Sequence, residues 1–450
     1  MPRLLIVGAM AAGMSAASKV RRLSPEWEVT ALDAGEDVSY GACGLPYWLG
    51  GVTPSGSDLY ALTTEQIAER GVEVLLRTRV TGLLEGRKRV EAEDLRNGRT
   101  REEAYDALLI ATGARAVLPD LRGLDAENCF SLHDFGDGRR LHRFLEEERP
   151  RSAAIWGMGY IGLEMAENFR ARGLTVTMVN RSSQILGGVA EPIRDRILDT
   201  LTDHGVAVRL QSEVREAMRS GDRITALDTD RGTVNADLFL VATGVRPATD
   251  FLRGSPLRID GSGALRPDET CATGVHGIWA AGDCCAVRNR ITGQWAYVPL
   301  GTTANKMGRV AGSNIAGVRE RFPGIVATAI MKAFDLEVGI TGLSAEDAAA
   351  AGFDPVTVDV EASTRAEYYP GGGTASVHLV ADGRGRLLGG QICAPEGTKG
   401  RIDTLAAALT ASMTADELAS LDLAYAPPFA PVWDPLLVAA NVLRSKLKNR

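Results

Sequence analysis

The chain has 450 residues, 45% apolar and 24% charged, which is long enough for two or three domains of ordinary globular composition. A net charge of -7 and a pI near 5.5 argue against nucleic acid or an anionic membrane as the main partner. The six cysteines have neither disulfide-framework nor zinc spacing, and no apolar run reaches the roughly 20 residues of a spanning helix. We therefore expect a cytoplasmic protein that binds no metal, no membrane and no nucleic acid.

The first elements predict a nucleotide-binding unit. A strand, a tight turn, a helix and a second strand are expected at residues 4–7, 8–13, 14–23 and 29–32. Gly8 and Gly13 permit the sharp turn and a close approach of the backbone to a pyrophosphate, although Met10 replaces the middle glycine of the motif. Asp33 ends the second strand, where its carboxylate can accept a hydrogen bond from a ribose hydroxyl.

One cysteine, Cys43, follows this unit, and no second cysteine lies near it in the sequence. It stands in the segment SYGACGLPYW, which runs from residue 39 to residue 48. A helix that begins at residues 44–46 would lower the pKa of the thiol through its dipole and favour the reactive thiolate. Without an internal partner, this thiol has to exchange with an external disulfide, persulfide, peroxide or oxygen. The alternative is a buried and inert cysteine.

A second unit repeats the order of the first. Its elements are expected at residues 153–156, 157–162, 163–172 and 175–179. Gly157, Gly159 and Gly162 match the dinucleotide-binding motif fully. The second strand ends in Asn180 and Arg181 rather than in a carboxylate, which favours NADP over NAD because a 2′-phosphate is not repelled. The alternative is that Arg181 is only a solvated loop residue.

Three further strand ends complete the nucleotide sites. Strands at 107–111 and 238–242 lead into the turns Thr112-Gly113 and Thr243-Gly244. A third strand ends in Gly282-Asp283 and resembles the second flavin motif of two-dinucleotide reductases, in which the carboxylate binds the ribityl chain of FAD. The adjacent Cys284 and Cys285 are expected to pack at the start of a helix.

From about residue 327 the pattern changes to a hairpin at 375–392 and a helix at 401–410, which indicates an α+β domain. The predicted fold class is α/β, with two Rossmann-like dinucleotide-binding domains and a C-terminal α+β domain, which the family resemblance given below implies to be a dimerisation domain. We expect the FAD-binding domain at 1–118 and 245–325, the NAD(P)H-binding domain at 119–244 and the dimerisation domain at 326–450.

Together, these motifs resemble the single-cysteine class of the pyridine nucleotide-disulfide oxidoreductase family, which includes coenzyme A-disulfide reductase, NADH oxidase and NADH peroxidase. The resemblance implies FAD and NADPH, or NADH, as cofactors, and a homodimer whose active site is shared by the two subunits. Trp48 occupies the position at which two-cysteine members carry the second cysteine. Ala11 replaces the histidine that is typical of oxidase and peroxidase members. The segment around Cys43 is similar to that of the coenzyme A enzyme, except that Ala42 replaces an asparagine.

The resemblance also implies roles for several side chains. Tyr425 of the partner subunit would protonate the leaving thiolate, with Tyr368 or Tyr369 assisting, because a phenol placed beside a thiolate can serve as an acid. Tyr160 would cover the flavin face as a gate, and Glu164 would lie near the nicotinamide. For Tyr425, Tyr368 and Tyr369, the alternative is aromatic packing at a dimer interface. For Tyr160 and Glu164, the alternative is that they simply lie on the helix after the glycine turn.

Coenzyme A itself would meet Ser39, Arg21 and Arg22, which are candidates for binding its phosphates and adenosine; solvated helix positions are the alternative for the two arginines. The expected function is reduction of coenzyme A disulfide by NADPH through FAD and a mixed disulfide between Cys43 and coenzyme A. The alternatives are an NAD(P)H oxidase, a coenzyme A persulfide or polysulfide reductase, and a flavin-bound redox sensor without turnover of its own.

Overall fold

Three five-stranded sheets organise the chain, and they confirm the predicted fold class. The computed structural model describes residues 1–450. The first sheet is parallel, in the order Ile278–Ala280, Ala107–Ile110, Arg3–Val7, Glu28–Leu32 and Val72–Leu75. The second is also parallel, in the order Val206–Arg209, Thr175–Val179, Ser152–Trp156, Leu238–Val241 and Cys129–Phe130. The third is antiparallel, in the order Ala329–Ala333, Leu336–Gly342, Leu387–Ala394, Thr374–Asp382 and Pro355–Ser363.

Smaller antiparallel elements accompany these sheets. Two three-stranded sheets contain Thr78–Leu84, Arg89–Asp94 and Arg99–Ala104, and Val214–Ser220, Arg223–Thr229 and Gly232–Asn235. Two strand pairs join Ala114–Ala116 to Val245–Pro247 and Val287–Arg288 to Trp295–Ala296. The first of these pairs lies where the chain crosses from the first parallel sheet to the second and back. The domain boundaries that we expect near residues 118 and 245 stay a prediction.

Eleven α-helices cover the sheets. They are α1 (Ala11–Leu23), α2 (Leu45–Leu49), α3 (Thr64–Glu69), α4 (Phe135–Glu148), α5 (Tyr160–Ala171), α6 (Glu191–Asp203), α7 (Gly301–Ile315), α8 (Ala345–Ala350), α9 (Thr398–Thr410), α10 (Ala415–Ala419) and α11 (Pro435–Lys448). Short 3₁₀ turns occur at Ala42–Gly44, Gly56–Leu59, Glu85–Arg87 and Asp250–Leu252. None of the helices has the length and apolar character that crossing a membrane requires.

Parallel pairing places the expected site residues at one edge of each nucleotide sheet. In the first sheet the strand that starts at Arg3 pairs in register with the strands on both sides, Leu4 opposite both Val29 and Ala107. The carboxyl ends of these strands therefore meet, and ligands of open α/β sheets bind outside such ends. Helix α1 begins at Ala11, three residues earlier than expected, and helix α7 packs closely against it. That approach depends on Gly308, because a Cβ there would lie 2.2 Å from the carbonyl oxygen of Ala12.

The second parallel sheet and the antiparallel sheet share a core, whereas the first parallel sheet packs in a separate cluster of 41 buried residues. One cluster of 33 buried residues extends from Leu45 and Trp48 on α2 through the second parallel sheet to Met331 and Cys393 of the antiparallel sheet. Helix α2, which follows Cys43, packs against both α4 and α5 of the second unit. The segment that carries the thiol is therefore supported by the neighbouring nucleotide unit as well as by its own.

The prediction that Cys284 and Cys285 pack at the start of a helix is wrong. They follow the strand Ile278–Ala280 in a turn, and Cys285 forms a bridge to Leu265 in extended conformation. The next helix, α7, begins only at Gly301. Both thiols are buried and reduced, with their sulfur atoms 3.7 Å apart.

Candidate active site

Both glycine turns have the sharp geometry that their motifs predict. Gly8 has φ +105°, and a Cβ at this position would lie 2.2 Å from the carbonyl oxygen of Ala111. Gly157 has φ +119°, and a Cβ would approach the carbonyl oxygen of Ala242 equally closely. Because a side chain is strained at such a φ and has no room here, each turn depends on its first glycine.

The last glycine of each turn allows the following helix to pack tightly. A Cβ at Gly13 would lie 1.9 Å from the carbonyl oxygen of the first glycine of its turn, and one at Gly162 would lie 2.2 Å away in the second turn. The middle positions, Met10 and Gly159, are both extended N-cap residues with φ of -104° and -88°. Since any residue adopts such a φ, Met10 replaces the usual glycine without changing the backbone.

Asp33 holds the first turn in place. Its Oδ2 accepts a hydrogen bond from the N–H of Ala9 at 2.7 Å, and its Oδ1 accepts from the N–H of Gly35 at 2.8 Å. Burial raises the pKa of Asp33, and these two N–H groups oppose that rise. A carboxylate has lone pairs beyond these two bonds, so its predicted role toward a ribose hydroxyl is compatible with the geometry.

The matching strand end of the second unit carries an ordered loop. The side-chain amide of Asn180 donates to the carbonyl oxygens of Gln184 at 2.7 Å and Ser182 at 3.1 Å. Arg181 is exposed and takes part in no ion pair, so its guanidinium is free to meet a ligand. At the far end of this loop Gln391 of the antiparallel sheet accepts from the N–H of Ala190 at 2.7 Å. The loop is therefore fixed at both ends.

The two threonine-glycine turns lead into the pair of strands that connects the nucleotide units. Gly113 has φ +66° and Gly244 has φ +120°, both in the left-handed region. The carbonyl oxygen of Gly113 accepts from the N–H of Ala248 at 3.0 Å, and that of Gly244 accepts from Val117 at 2.9 Å. These bonds hold the two turns side by side at the sheet edges.

Two buried hydroxyl groups near the expected flavin motif have no hydrogen-bond partner. They belong to Thr112, which was predicted as a site residue, and to Tyr297, which was not. Burial raises the pKa of Asp283, whereas the charge of His133 and the backbone N–H of Leu300 lower it. Burial also raises the pKa of Tyr297, and the charge of Asp283 raises it further. Unpaired buried hydroxyls beside a carboxylate fit a polar ligand such as the ribityl and pyrophosphate of FAD.

Gly282 has φ +87° and packs against helix α1, since a Cβ there would lie 2.9 Å from the Cβ of Ala12. This contact brings Asp283 to the start of α1, next to the first glycine turn. The predicted flavin residues Gly8, Gly13, Asp33, Thr112, Gly113, Gly282 and Asp283 therefore all lie at the carboxyl edge of the first parallel sheet.

Cys43 is the one cysteine that solvent reaches. It lies in the 3₁₀ turn Ala42–Gly44, directly before α2, and the other five cysteines are buried. No cysteine is bonded to it or to any other. The helix that we expected after Cys43 is present, but it is only five residues long.

The prediction that the pKa of the Cys43 thiol is lowered is wrong. Packing of protein atoms around the sulfur raises the pKa of Cys43, and the charges of Glu164 and Asp283 raise it further. A single backbone hydrogen bond opposes them. The dipole of a five-residue helix is too small to outweigh two carboxylates, so the thiol form is favoured at neutral pH.

Glu164 and Tyr160 stand on the first turn and a half of α5. Burial raises the pKa of Glu164 to about 7, and the charge of Glu167 contributes to that rise. Burial likewise raises the pKa of Tyr160. Burial raises the pKa of Tyr47 to about 12, and the charge of Glu164 contributes to that rise. Glu164 therefore lies among the groups around the thiol, with a carboxyl group that is half ionised near neutral pH.

Two of the three tyrosines predicted at the shared active site form a pair. The hydroxyl oxygens of Tyr368 and Tyr425 are 3.0 Å apart, although the residues are far apart in sequence. Tyr369 follows Tyr368 along the chain, and the guanidinium of Arg365 lies 5.9 Å from its ring centre. All three tyrosines are exposed. Their predicted role at the active site of the partner subunit stays a prediction.

The predicted coenzyme A residues differ in placement. Ser39 has φ 53°, and its N–H donates to the carbonyl oxygen of Ala9 in the first glycine turn at 3.3 Å. Arg21 lies in the last turn of α1, and its guanidinium donates to the backbone carbonyls of Pro25, Trp27 and Arg70. Arg22 is exposed beside it. Because Arg21 is occupied by three backbone oxygens, the geometry gives it a structural task, whereas Ser39 stays close to the turn.

Sequence reasoning missed an aromatic cluster around Trp48 of α2, the helix that follows Cys43. The indole of Trp48 stacks on the rings of His142, at 4.8 Å and 6°, and Phe135, at 5.3 Å and 19°. The hydroxyl of Tyr40 accepts from the N–H of Phe135 at 3.0 Å. The residue at the position of a second cysteine is therefore a packing residue that fixes α2 against α4. No signal in the sequence joins these positions, because α4 belongs to the second unit.

Comparison with known proteins follows the same division of the chain. The family described as pyridine nucleotide-disulphide oxidoreductase matches residues 2–308, and its dimerisation domain matches residues 328–435. The chain belongs to this family. It is an α/β oxidoreductase of the kind that uses FAD and a nicotinamide nucleotide, as the resemblance implied.

Two relatives cover nearly the whole chain. The NAD(P)H sulfur oxidoreductase (CoA-dependent) of Pyrococcus abyssi is 41% identical over 445 residues, 98% of each protein. The coenzyme A disulfide reductase of Staphylococcus haemolyticus is 28% identical over 435 residues, 96% of each. The resemblance to coenzyme A-disulfide reductase is thus confirmed at the level of the family, and CoA-dependent sulfur reductases share more of the sequence.

Two solved structures superimpose closely. The NAD-dependent persulfide reductase from A. fulgidus has a TM-score of 0.96 at 34% identity, over 99% of this chain and 84% of that one. An engineered water-forming NADPH oxidase, bound to NADPH, has a TM-score of 0.95 at 27% identity, over 99% of both chains.

Proposed function

We propose that this protein uses NADPH and FAD to cleave the sulfur–sulfur bond of a coenzyme A persulfide or disulfide through Cys43. The observation that carries the proposal is the single accessible thiol at the start of α2, in a chain whose other five cysteines are buried and unbonded. A lone accessible thiol has no partner in its own chain, so it completes a redox cycle only with an external sulfur compound.

The first chemical step is a thiol–disulfide exchange, which needs only Cys43 and the coenzyme A compound. The Cys43 thiolate attacks the coenzyme A sulfur, a Cys43–S–S–coenzyme A bond forms, and the old sulfur–sulfur bond breaks. The leaving group is coenzyme A thiolate from the disulfide, or hydrosulfide from the persulfide. Bound FAD would supply the two electrons, derived from NADPH, that split the mixed disulfide into the Cys43 thiolate and coenzyme A thiolate. The raised pKa of Cys43 implies that the attack becomes faster as the pH rises.

Protonation of the departing coenzyme A is assigned to Tyr425 of the partner subunit, with Tyr368 as its hydrogen-bond partner. Both phenols are exposed on the C-terminal domain, and three large apolar side chains that follow Tyr425 closely in the sequence are exposed as well: Phe429, Val432 and Trp433. Exposed large apolar side chains in a cluster mark an interaction surface, which fits the dimerisation assignment of this region.

The choice between the two sulfur compounds favours the persulfide. The relative at 41% identity is named for CoA-dependent sulfur reduction, and the structural neighbour at 34% is named a persulfide reductase. The relative named for coenzyme A disulfide is only 28% identical. Ala42, which interrupts the pattern of the coenzyme A-disulfide enzymes, is consistent with that order. Slow reduction of oxygen is a second candidate, although Ala11, which replaces the histidine typical of oxidase and peroxidase members, has no proton to move.

A preference for NADPH is proposed from the loop that follows Thr175–Val179. Asn180 is tied into the loop, and Arg181 projects without a partner, so a 2′-phosphate would meet a free guanidinium. The engineered NADPH oxidase carries Ala-Arg-Ser in place of Asp-Ala-Met at three consecutive positions, and this chain has Asn180-Arg181-Ser182. Arg181→Ala should raise the KM for NADPH about 10- to 100-fold and leave that for NADH unchanged.

The test compares NADPH consumption by the holoenzyme with coenzyme A persulfide, coenzyme A disulfide and air as acceptors. The proposal expects the highest kcat/KM with the persulfide, measurable turnover of the disulfide and slow use of oxygen. Cys43→Ser should abolish the first two, whereas Cys129→Ser, at a buried cysteine, should not. Turnover of both sulfur compounds by Cys43→Ser would refute the proposal. Negligible consumption by both forms with every acceptor would indicate a redox sensor instead.

A further inference from the structure

The two phenols assigned to proton transfer cannot hold each other in place. Tyr368 is 75% exposed and Tyr425 is 45% exposed, and their hydroxyl oxygens are 3.0 Å apart. A hydrogen bond between two exposed hydroxyls competes with water and contributes little to their position. The geometry of the pair must therefore come from the segments that carry them.

The first segment is a loop, residues 364–373, that closes on itself. The N–H of Thr364 donates to the carbonyl oxygen of Gly373 at 2.8 Å, and the N–H of Gly373 donates to Oγ1 of Thr364 at 2.9 Å. The same hydroxyl donates to Glu396 at 2.8 Å, and Glu396 also pairs with Arg365. Tyr368 therefore projects from a loop whose two ends are fixed.

The second segment leads from Tyr425 to the start of α11. Asp434 is the N-cap of this helix, and its Oδ1 accepts from the N–H of Leu436 at 2.9 Å. The remaining carboxylate oxygen faces the protein interior, where it meets the guanidinium of Arg401 on α9.

Arg401 joins the two segments. Its Nε donates to Asp434 at 2.9 Å, and its Nη2 donates to the carbonyl oxygen of Thr364 at 3.0 Å. The side chains of Arg401 and Asp434 are only 7% and 11% exposed, so the bridge is shielded from water. A guanidinium presents donors in a rigid plane and can bind two acceptors in fixed directions, whereas an ammonium group is a point charge on a flexible stem.

We infer that Arg401 is a positioning residue that holds the loop of Tyr368 and the segment of Tyr425 at the spacing required for the two hydroxyls to meet. This inference rests on the proposed role of Tyr425 as the acid. A buried polar group that loses its partner carries a large penalty, so the bridge has one stable arrangement rather than several. Without the bridge, each tyrosine stays on its own segment, but the two segments are no longer held at a fixed spacing.

The test uses Arg401→Lys and Asp434→Asn in the FAD-containing dimer, with Leu405→Val as the control. Leu405 is a buried residue on the same helix with no polar contact to either segment, so its replacement destabilises α9 without breaking the bridge. Asn is a good N-cap, so Asp434→Asn keeps the cap of α11 while removing the charge. We expect kcat to fall about 10- to 100-fold in both bridge variants and to stay near wild type in the control.

Two readouts separate positioning from a merely structural role. In a Tyr425→Phe background, Arg401→Lys should cause no further loss of kcat, while its effect on thermal unfolding should persist. In the protein labelled with 3-fluorotyrosine, the pKa of the phenol at position 425, which the hydrogen bond to Tyr368 raises, should fall toward that of free 3-fluorotyrosine in both bridge variants.

An unchanged fluorine titration in folded Arg401→Lys and Asp434→Asn would overturn the inference, as would equal losses of kcat with and without Tyr425. If Tyr425→Phe itself leaves kcat unchanged, the proposed acid is wrong, and the titration still decides whether Arg401 positions the pair. If Arg401→Lys does not fold, Asp434→Asn gives the same readouts.

Discussion

The buried carboxyl group of Glu164 should make the free energy of unfolding depend on pH. Burial and the nearby Glu167 raise the pKa of Glu164 to about 7, from 4.5 in the unfolded chain. The native protein therefore keeps a proton that the unfolded chain releases between these two values. Stability is lost as the pH rises through this interval, and the full penalty is present above it. Glu164→Gln removes the ionisation and should remove the penalty.

The magnitude is a shift of about 2.5 pKa units at about 1.4 kcal/mol each, or roughly 3 kcal/mol at about pH 8. At about pH 5 the penalty that remains in the wild type is below about 1 kcal/mol. Urea unfolding of wild type and Glu164→Gln, with FAD saturating in both, measures the difference at each pH. The variant should be more stable at the higher pH and nearly equal to wild type at the lower one.

The matched control is Glu147→Gln on α4, since Glu147 is exposed and forms no ion pair. Its effect on the free energy of unfolding should be small and independent of pH. A gain for Glu164→Gln that does not change with pH would mean that the gain does not come from ionisation. A loss of stability at the higher pH would mean that the carboxylate has a favourable partner, and the reasoning from burial would be wrong.

Three further predictions concern the reactivity of Cys43, the aromatic cluster around Trp48 and the second glycine turn. Glu164→Gln removes one of the charges that oppose ionisation of Cys43. Iodoacetamide should therefore alkylate Cys43 faster near neutral pH, as followed by intact mass. An unchanged rate would mean that the charge of Glu164 does not affect the thiol. Trp48→Ala removes the stack on Phe135 and His142 and should cost about 3–5 kcal/mol in urea unfolding, and a loss below about 1 kcal/mol would contradict a packing role. Gly157→Ala places a Cβ 2.2 Å from a carbonyl oxygen, so NADPH binding should be lost while flavin absorbance is kept, and retention of NADPH affinity in a fluorescence titration would disprove the need for glycine.

The nucleotide sites were predictable because their determinants are local. The glycine turns require glycine at Gly8 and Gly157 because both residues have a positive φ, which is a property of the local backbone. Asp33 stands at a fixed position after its strand. Cys284 shows the limit of such reasoning. A helix was expected after Asp283, but the left-handed Gly282 and the extended bridge from Cys285 continue the chain in a turn.

The properties of the thiol were not predictable, because they depend on groups that the fold brings from elsewhere. The pKa of Cys43 responds to Glu164 on α5 and to Asp283 after the third strand end. Helix α2, which follows Cys43, is held by Phe135 and His142 on α4, whose rings stack on Trp48. Periodicity and spacing describe neighbours along the chain, whereas desolvation and charge depend on neighbours in space.

The proposed reaction depends on a covalent bond between Cys43 and coenzyme A that forms during turnover. Intact mass spectrometry of the oxidised holoenzyme, mixed with a coenzyme A persulfide or disulfide and sampled before and after NADPH, tests this directly. We expect one coenzyme A per subunit, located on Cys43 by peptide mapping and released when NADPH is added. A protein that turns over these acceptors while Cys43 stays unmodified, or with the adduct on another cysteine, would contradict it.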